Sequence, residues 1–183
     1  MGINKTISVI DSLPLKNNSH ILDLGSFNEK RFLNLIDKIP FGKITTVEND
    51  DEKINTILNI ISDLKRNNIH TEFTAIKHTI DHGNSIPFKD NFCDVIILSH
   101  NLRNVIYRES LLKECSRVLV PGGIILVIES NFDSFNTSVH PDAKIRIDEM
   151  LEYLDNSGFT IAENFDTVTD EYGIIGISPL HNN

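Results

Sequence analysis

The chain has 183 residues, 40% of them hydrophobic, with 26 acidic side chains against 17 basic ones and a net charge of -9. That length is typical of one domain and allows a sizeable core without staples. No apolar run approaches the roughly 20 residues of a membrane span, and the acidic balance disfavours nucleic acid as a ligand.

The opening MGINKTISVIDSL is unlike a secretory signal, because Lys5, Ser8 and Asp11 interrupt its apolar residues. Ile7, Ile10 and Leu13 instead predict a short helix stopped by Pro14. A strand is expected over His20 to Leu24. Phe32, Leu33, Ile36 and Ile39 then recur at helical spacing until Pro40-Phe41-Gly42. A second strand covers Lys43 to Val47. The helix after it, about Asp51 to Arg66, carries acids in its first turn and bases in its last, which suits the helix dipole. A weaker strand spans His70 to Ile76. Asp94 to Ser99 reads DVIILS, apolar on both faces like a central parallel strand. Leu111, Leu112, Cys115, Val118 and Leu119 give another helix face, and Pro121-Gly-Gly123 is expected to turn it into the strand IILVIE. Ser130 to Lys144 reads as a polar loop, and a helix near Asp148 to Ser157 ends at Gly158. Two last strands, Phe159 to Phe165 and Gly173 to Ser178, are expected to pair antiparallel at an edge. Cys93 and Cys115 fall in separate apolar segments, as buried thiols in a reducing cytoplasm would. The seven histidines lack metal-ligand spacing, so no metal is expected.

Alternating strands and helices predict one α/β domain, 1–183, doubly wound about a mostly parallel sheet. Ligands of such sheets bind outside the carboxyl ends of the strands. The candidates are therefore Gly25 to Glu29, Glu48 to Asp50, Asp81 to Gly83 and Ser99 to Asn104. Glu48 lies 23 positions beyond Gly25, about where an acid accepts hydrogen bonds from ribose hydroxyls in nucleotide sites. The competing role, capping the following helix, can fall to Asp50 or Asp51 instead.

Several stretches carry a resemblance. They are SVIDSLPLKNNSHILDLG, TTVENDDEKI, IPFKDNFCDVIILSHNLRNV, LLKECSRVLVPGGIILVIES and IDEMLEYLDNSGFTIAENF. Together they resemble the class I S-adenosylmethionine-dependent methyltransferases, the small type 11 group in particular. The resemblance implies a seven-stranded Rossmann-like sheet with its last strand antiparallel, S-adenosylmethionine as cofactor and transfer of its methyl group to a small molecule or, as the lesser alternative, a protein side chain. It places Asp23, Gly25, Ser26, Phe27, Glu48, Asn49, Asp81, His82, Ser99 and His100 around the cofactor, with Asp81 or His82 near adenine. Ser99 and His100 would face the methyl position. The acceptor pocket would include Ser130 to Lys144, and the cleft would be open or completed by a second copy in a homodimer. No catalytic base is assigned.

The stretch after Gly25 departs from that pattern. Ser26, Phe27, Asn28 and Glu29 stand where Cys-Gly-x-Gly would let a ligand approach the backbone. Serine followed three positions later by glutamate also fits a capping box, which would give the helix N–H groups to the protein's own side chains. A non-catalytic methyltransferase-like domain binding a partner or another nucleotide is therefore the alternative expectation. A nicotinamide-dependent dehydrogenase is disfavoured, because Gly-x-Gly-x-x-Gly is absent.

Overall fold

The computed structural model describes residues 10–11, 13–25, 27–66, 69–80, 85–131, 144–166 and 171–180. Its strands are β1 (His20–Asp23), β2 (Lys43–Glu48), β3 (Glu72–Lys77), β4 (Cys93–Ser99), β5 (Leu119–Ser130), β6 (Thr160–Asp166) and β7 (Glu171–Ile177). The helices are α1 (Glu29–Lys38), α2 (Asp51–Arg66), α3 (Arg108–Val118) and α4 (Ile147–Asn156), with a 3-10 turn at Leu102–Asn104. The expected opening helix lies mostly outside the described residues, but Ile10 and Leu13 are buried.

The seven strands are ordered β3-β2-β1-β4-β5-β7-β6. Five run parallel from β3 to β5. β7 is antiparallel to both β5 and β6, as expected for a last strand. The order reverses between β1 and β4, which opens a crevice at their carboxyl ends.

Side chains of β4 alternate between two cores. Ile96 and Leu98 join Leu111, Leu112, Cys115, Met150 and Leu154 beneath α3 and α4. Val95 and Ile97 join Phe32, Leu35, Ile36, Ile57 and Ile61 beneath α1 and α2. Period-two alternation with apolar residues on both faces explains why DVIILS is the centre of the sheet. Both cysteines are free and buried, and burial pushes both thiols up.

Two local expectations change. Pro121-Gly-Gly123 is not a turn between elements, because β5 already begins at Leu119. The partner of Cys93 is Leu119 and that of Val95 is Ile124, so the intervening residues of β5 bulge from the ladder, with Gly122 at φ +73°. The N-cap of α1 is Asn28, whose Oδ1 accepts from the Arg31 N–H at 2.9 Å. The capping box expected from Ser26 is thus replaced by a cap two residues later. Ser26 itself lies outside the described residues.

Candidate active site

Glu48 closes β2 with its side chain turned inward, only 6% exposed. Its Oε1 accepts from the Phe27 N–H at 3.3 Å and lies 3.4 Å from the Lys53 ammonium. Capping of α2 is done by Asp50, whose Oδ1 accepts from the Glu52 and Lys53 N–H groups at 2.8 and 3.3 Å. Glu48 is therefore not needed for the cap. It lines a cavity of about 190 Å³ with Val47, Asn49, Lys53, His78, Ile80, Asn101 and Asn104. His78 Nε2 is buried there without a hydrogen-bond partner. The Asn101 side chain donates across the crevice to the Leu24 carbonyl.

Gly25 sits where β1 meets β4. A Cβ at this position would fall 2.5 Å from the Ser99 nitrogen and 2.8 Å from its Cβ. The glycine thus permits close approach of two strand ends. Asp23 is 1% exposed, and both of its carboxylate oxygens lie 3.3 Å from Arg31 Nη2. It also accepts from the Gly25 N–H at 3.2 Å. Burial raises the Asp23 carboxyl above its ordinary range, opposed by the Arg31 charge. The carboxylate assigned to the cofactor by resemblance is therefore occupied by a side chain of α1.

The Phe27 ring packs edge-on to Phe32, with centroids 5.5 Å apart. It does not line the Glu48 cavity. It borders a second cavity, of about 110 Å³, with Asn28, Arg31, Ser99, His100, Ile128 and Glu171. Phe27 thus meets Glu48 through its backbone N–H and also borders the second cavity. His100 adopts φ +57° immediately after β4, a left-handed conformation uncommon outside glycine. Its Nε2 lies 3.0 Å from Glu171 Oε1, and its Nδ1 is 3.8 Å from Glu129 Oε2. Burial raises the Glu129 carboxyl, opposed by the charges of His100 and Arg103.

Of the residues expected around a cofactor, Glu48 and Asn49 share the larger cavity, while Phe27, Ser99 and His100 share the smaller. Asp23 and Gly25 line neither cavity. Asp81 and His82, like the 132–143 stretch expected at the acceptor pocket, lie outside the described residues. Among the described residues no group of His, Cys, Asp and Glu is placed to hold a metal ion. No helix among them is long and apolar enough to cross a membrane.

Four further residues at these cavities, and Glu129 beside His100, had weaker signals in the sequence. Arg31 precedes Leu35 by four, a charged residue on the apolar face of α1. Lys53 lies five positions beyond Glu48, in the first turn of α2. His78 follows β3, Glu129 is an acid within the apolar run IILVIES, and Glu171 opens β7.

Comparison with known proteins bears on the family and the fold. The family described as "Methyltransferase domain" matches residues 22–127. A "Ubiquinone/menaquinone biosynthesis C-methyltransferase UbiE" from Neisseria gonorrhoeae is 34% identical over 64 residues, covering 35% of this chain and 26% of that protein. The chain thus spans about a quarter of that relative's length. A SAM (S-adenosylmethionine) dependent methyltransferase from Aquifex aeolicus superposes with TM-score 0.81 at 18% identity, over 95% of this chain and 89% of that one. The [4+2]-cyclase SpnF superposes with TM-score 0.76 at 15% identity, over 97% and 81%. These likenesses to solved structures show the fold.

Proposed function

Since the chain belongs to the methyltransferase domain family, we propose that it binds S-adenosylmethionine across the strand ends and transfers the methyl group to a small-molecule acceptor. The observation that carries this reading is Glu48, a buried acid at the end of β2 that lines a polar cavity and is spared from capping α2. The residues present fit the ligand. A carboxylate matches ribose hydroxyl donors, and the unpartnered His78 Nε2 with Asn49, Asn101 and Asn104 supplies groups for a purine edge. The sulfonium of the cofactor supplies an electrophilic methyl group. The chain's part is to hold donor and acceptor in line and keep water out. Glu48 would fix the ribose, with the Phe27 N–H and Lys53 holding its carboxylate in place. The name of the UbiE relative, a C-methyltransferase of quinone biosynthesis, supports a small-molecule acceptor.

A second reading, binding without methyl transfer, is favoured by the Asp23–Arg31 pair, which withdraws one expected polar contact. A thermal-shift titration with S-adenosylmethionine and S-adenosylhomocysteine tests binding. At 100 times its dissociation constant either ligand adds ~2.7 kcal/mol, or roughly 5–11 °C for a domain of this size. No shift at millimolar ligand defeats both readings of the site as an adenosyl site. Binding without formation of S-adenosylhomocysteine across an acceptor panel leaves only the second.

A further inference from the structure

Phe27 stands between the two hollows. Its N–H donates to Glu48, which lines the larger, and the residue itself borders the smaller. The end of β4 divides in the same way, with Ser99 and His100 at the smaller hollow and Asn101, the next residue, at the larger. Across the sheet the order runs β2, β1, β4, β5, β7. Glu48 closes β2, and Glu171 opens the antiparallel β7 opposite Ser130, the last residue of β5. The two acids therefore bracket the crevice from opposite sides, and the smaller hollow is the next space beyond the larger one.

The smaller hollow carries charges of both signs. Arg31 borders it from α1, and Glu171 borders it from β7. Arg31 is 7% exposed, and its Nη2 lies 3.3 Å from both oxygens of Asp23, which fixes the guanidinium. The Glu171 carboxylate is fixed in turn by His100, whose Nε2 lies 3.0 Å from Oε1. At about 110 Å³ the space suits a compact group. A purely anionic group there would meet Glu171, and a purely cationic one would meet Arg31. A zwitterion matches both walls.

We propose that this hollow takes the α-amino acid head of the cofactor, with its ammonium on Glu171 and its carboxylate on Arg31. The inference rests on the methyltransferase reading above and adds a second set of contacts to it. Ser26, Phe27, Asn28 and Glu29 stand where small residues would bring a ligand to the main chain. Side chains of α1 and β7 take over the anchoring that such a turn would provide. A guanidinium has five N–H donors, so the Arg31 fork accepts a second carboxylate while Nη2 serves Asp23.

Calorimetric titration of the full chain with S-adenosylhomocysteine and with 5′-methylthioadenosine reads the two hollows separately, because the second ligand keeps the nucleoside and the sulfur but lacks the amino-acid head. The expected result is binding of S-adenosylhomocysteine about 10- to 100-fold tighter than that of 5′-methylthioadenosine. Glu171→Gln should weaken S-adenosylhomocysteine about 10-fold and leave 5′-methylthioadenosine unchanged. The double variant Asp23→Asn with Arg31→Met, which removes the buried pair whole, should do the same. Binding of 5′-methylthioadenosine shows in each variant that the fold is intact. Wild-type affinities for the two ligands within about threefold of each other, or an unchanged ratio between them in either variant, overturn the proposal while leaving the adenosyl reading in place. Binding of neither ligand to wild type overturns both.

Discussion

Replacing Arg31 by methionine isolates the electrostatics beneath the site. Its guanidinium lies 3.3 Å from both oxygens of Asp23, and the two side chains are 7% and 2% exposed. Removing one partner of such a pair leaves a buried charge uncompensated, which costs about 3–5 kcal/mol. For a domain of this size that lowers the melting temperature by about 6–20 °C. The cost also has a predicted pH dependence. Burial already holds the Asp23 carboxyl above its ordinary range, and Arg31 opposes this. Without Arg31 the carboxyl rises further, so the folded state favours neutral Asp23 and loses stability as pH climbs through that raised value. The deficit of Arg31→Met should therefore be largest near about pH 7.5 and shrink toward about pH 4.5. Urea denaturation at the two pH values measures it. The double variant Asp23→Asn with Arg31→Met should return to within about 1 kcal/mol of wild type, because the charge and its partner leave together. It should also keep the adenosyl contact of S-adenosylhomocysteine, since neither Asp23 nor Arg31 lines the Glu48 cavity. A single variant within about 0.5 kcal/mol of wild type, or a deficit that grows on acidification, refutes the reasoning.

Gly25→Ala should cost about 2–3 kcal/mol, read by the same denaturation, because the new Cβ meets the Ser99 backbone nitrogen at 2.5 Å; a neutral substitution would show that the strand ends are free to part. Phe27→Ala should change S-adenosylhomocysteine affinity by less than about threefold, since the ring packs on Phe32 outside the Glu48 cavity. A tenfold gain in that titration would mean that the ring obstructs the ligand. Glu129 has a folded carboxyl raised above its ordinary 4.5 by burial, so its stabilising contribution is complete below that value and lost as pH rises through the folded one. Wild type should lose stability over that interval relative to Glu129→Gln, and parallel stability–pH curves for the two proteins would contradict the burial argument.

The fold was legible wherever one residue pattern determined one outcome. DVIILS had apolar residues on both faces and lies at the centre of the sheet. Asp51–Arg66 carried its own start and stop charges and is helical over that span. Glu48 could be picked out because an acid at a strand's carboxyl end is a local feature. Local reading failed where two meanings fit the same residues. The serine-to-glutamate spacing pointed to Ser26 as the cap of α1, whereas Asn28 fills that role, its side chain accepting from the Arg31 N–H. Pro121-Gly-Gly123 reads as a turn, but pairing with β4 and β7 draws the segment into a bulged strand. Arg31 interrupts an apolar face, and its partner Asp23 explains why. The contact of His100 with Glu171 joins residues 71 positions apart. Its existence depends on β7 inserting between β5 and β6, which no local pattern encodes.

The central claim is that the hollow beside Glu48 holds an adenosyl group through that carboxylate. Calorimetric titration of S-adenosylhomocysteine into wild type and Glu48→Ala tests it most directly. Losing hydrogen bonds to a charged acceptor costs about 1.5–3 kcal/mol, so the account predicts saturable binding to wild type and affinity roughly 10- to 100-fold weaker in the variant. Equal affinity in the two proteins, or no heat from wild type at millimolar ligand, would contradict it.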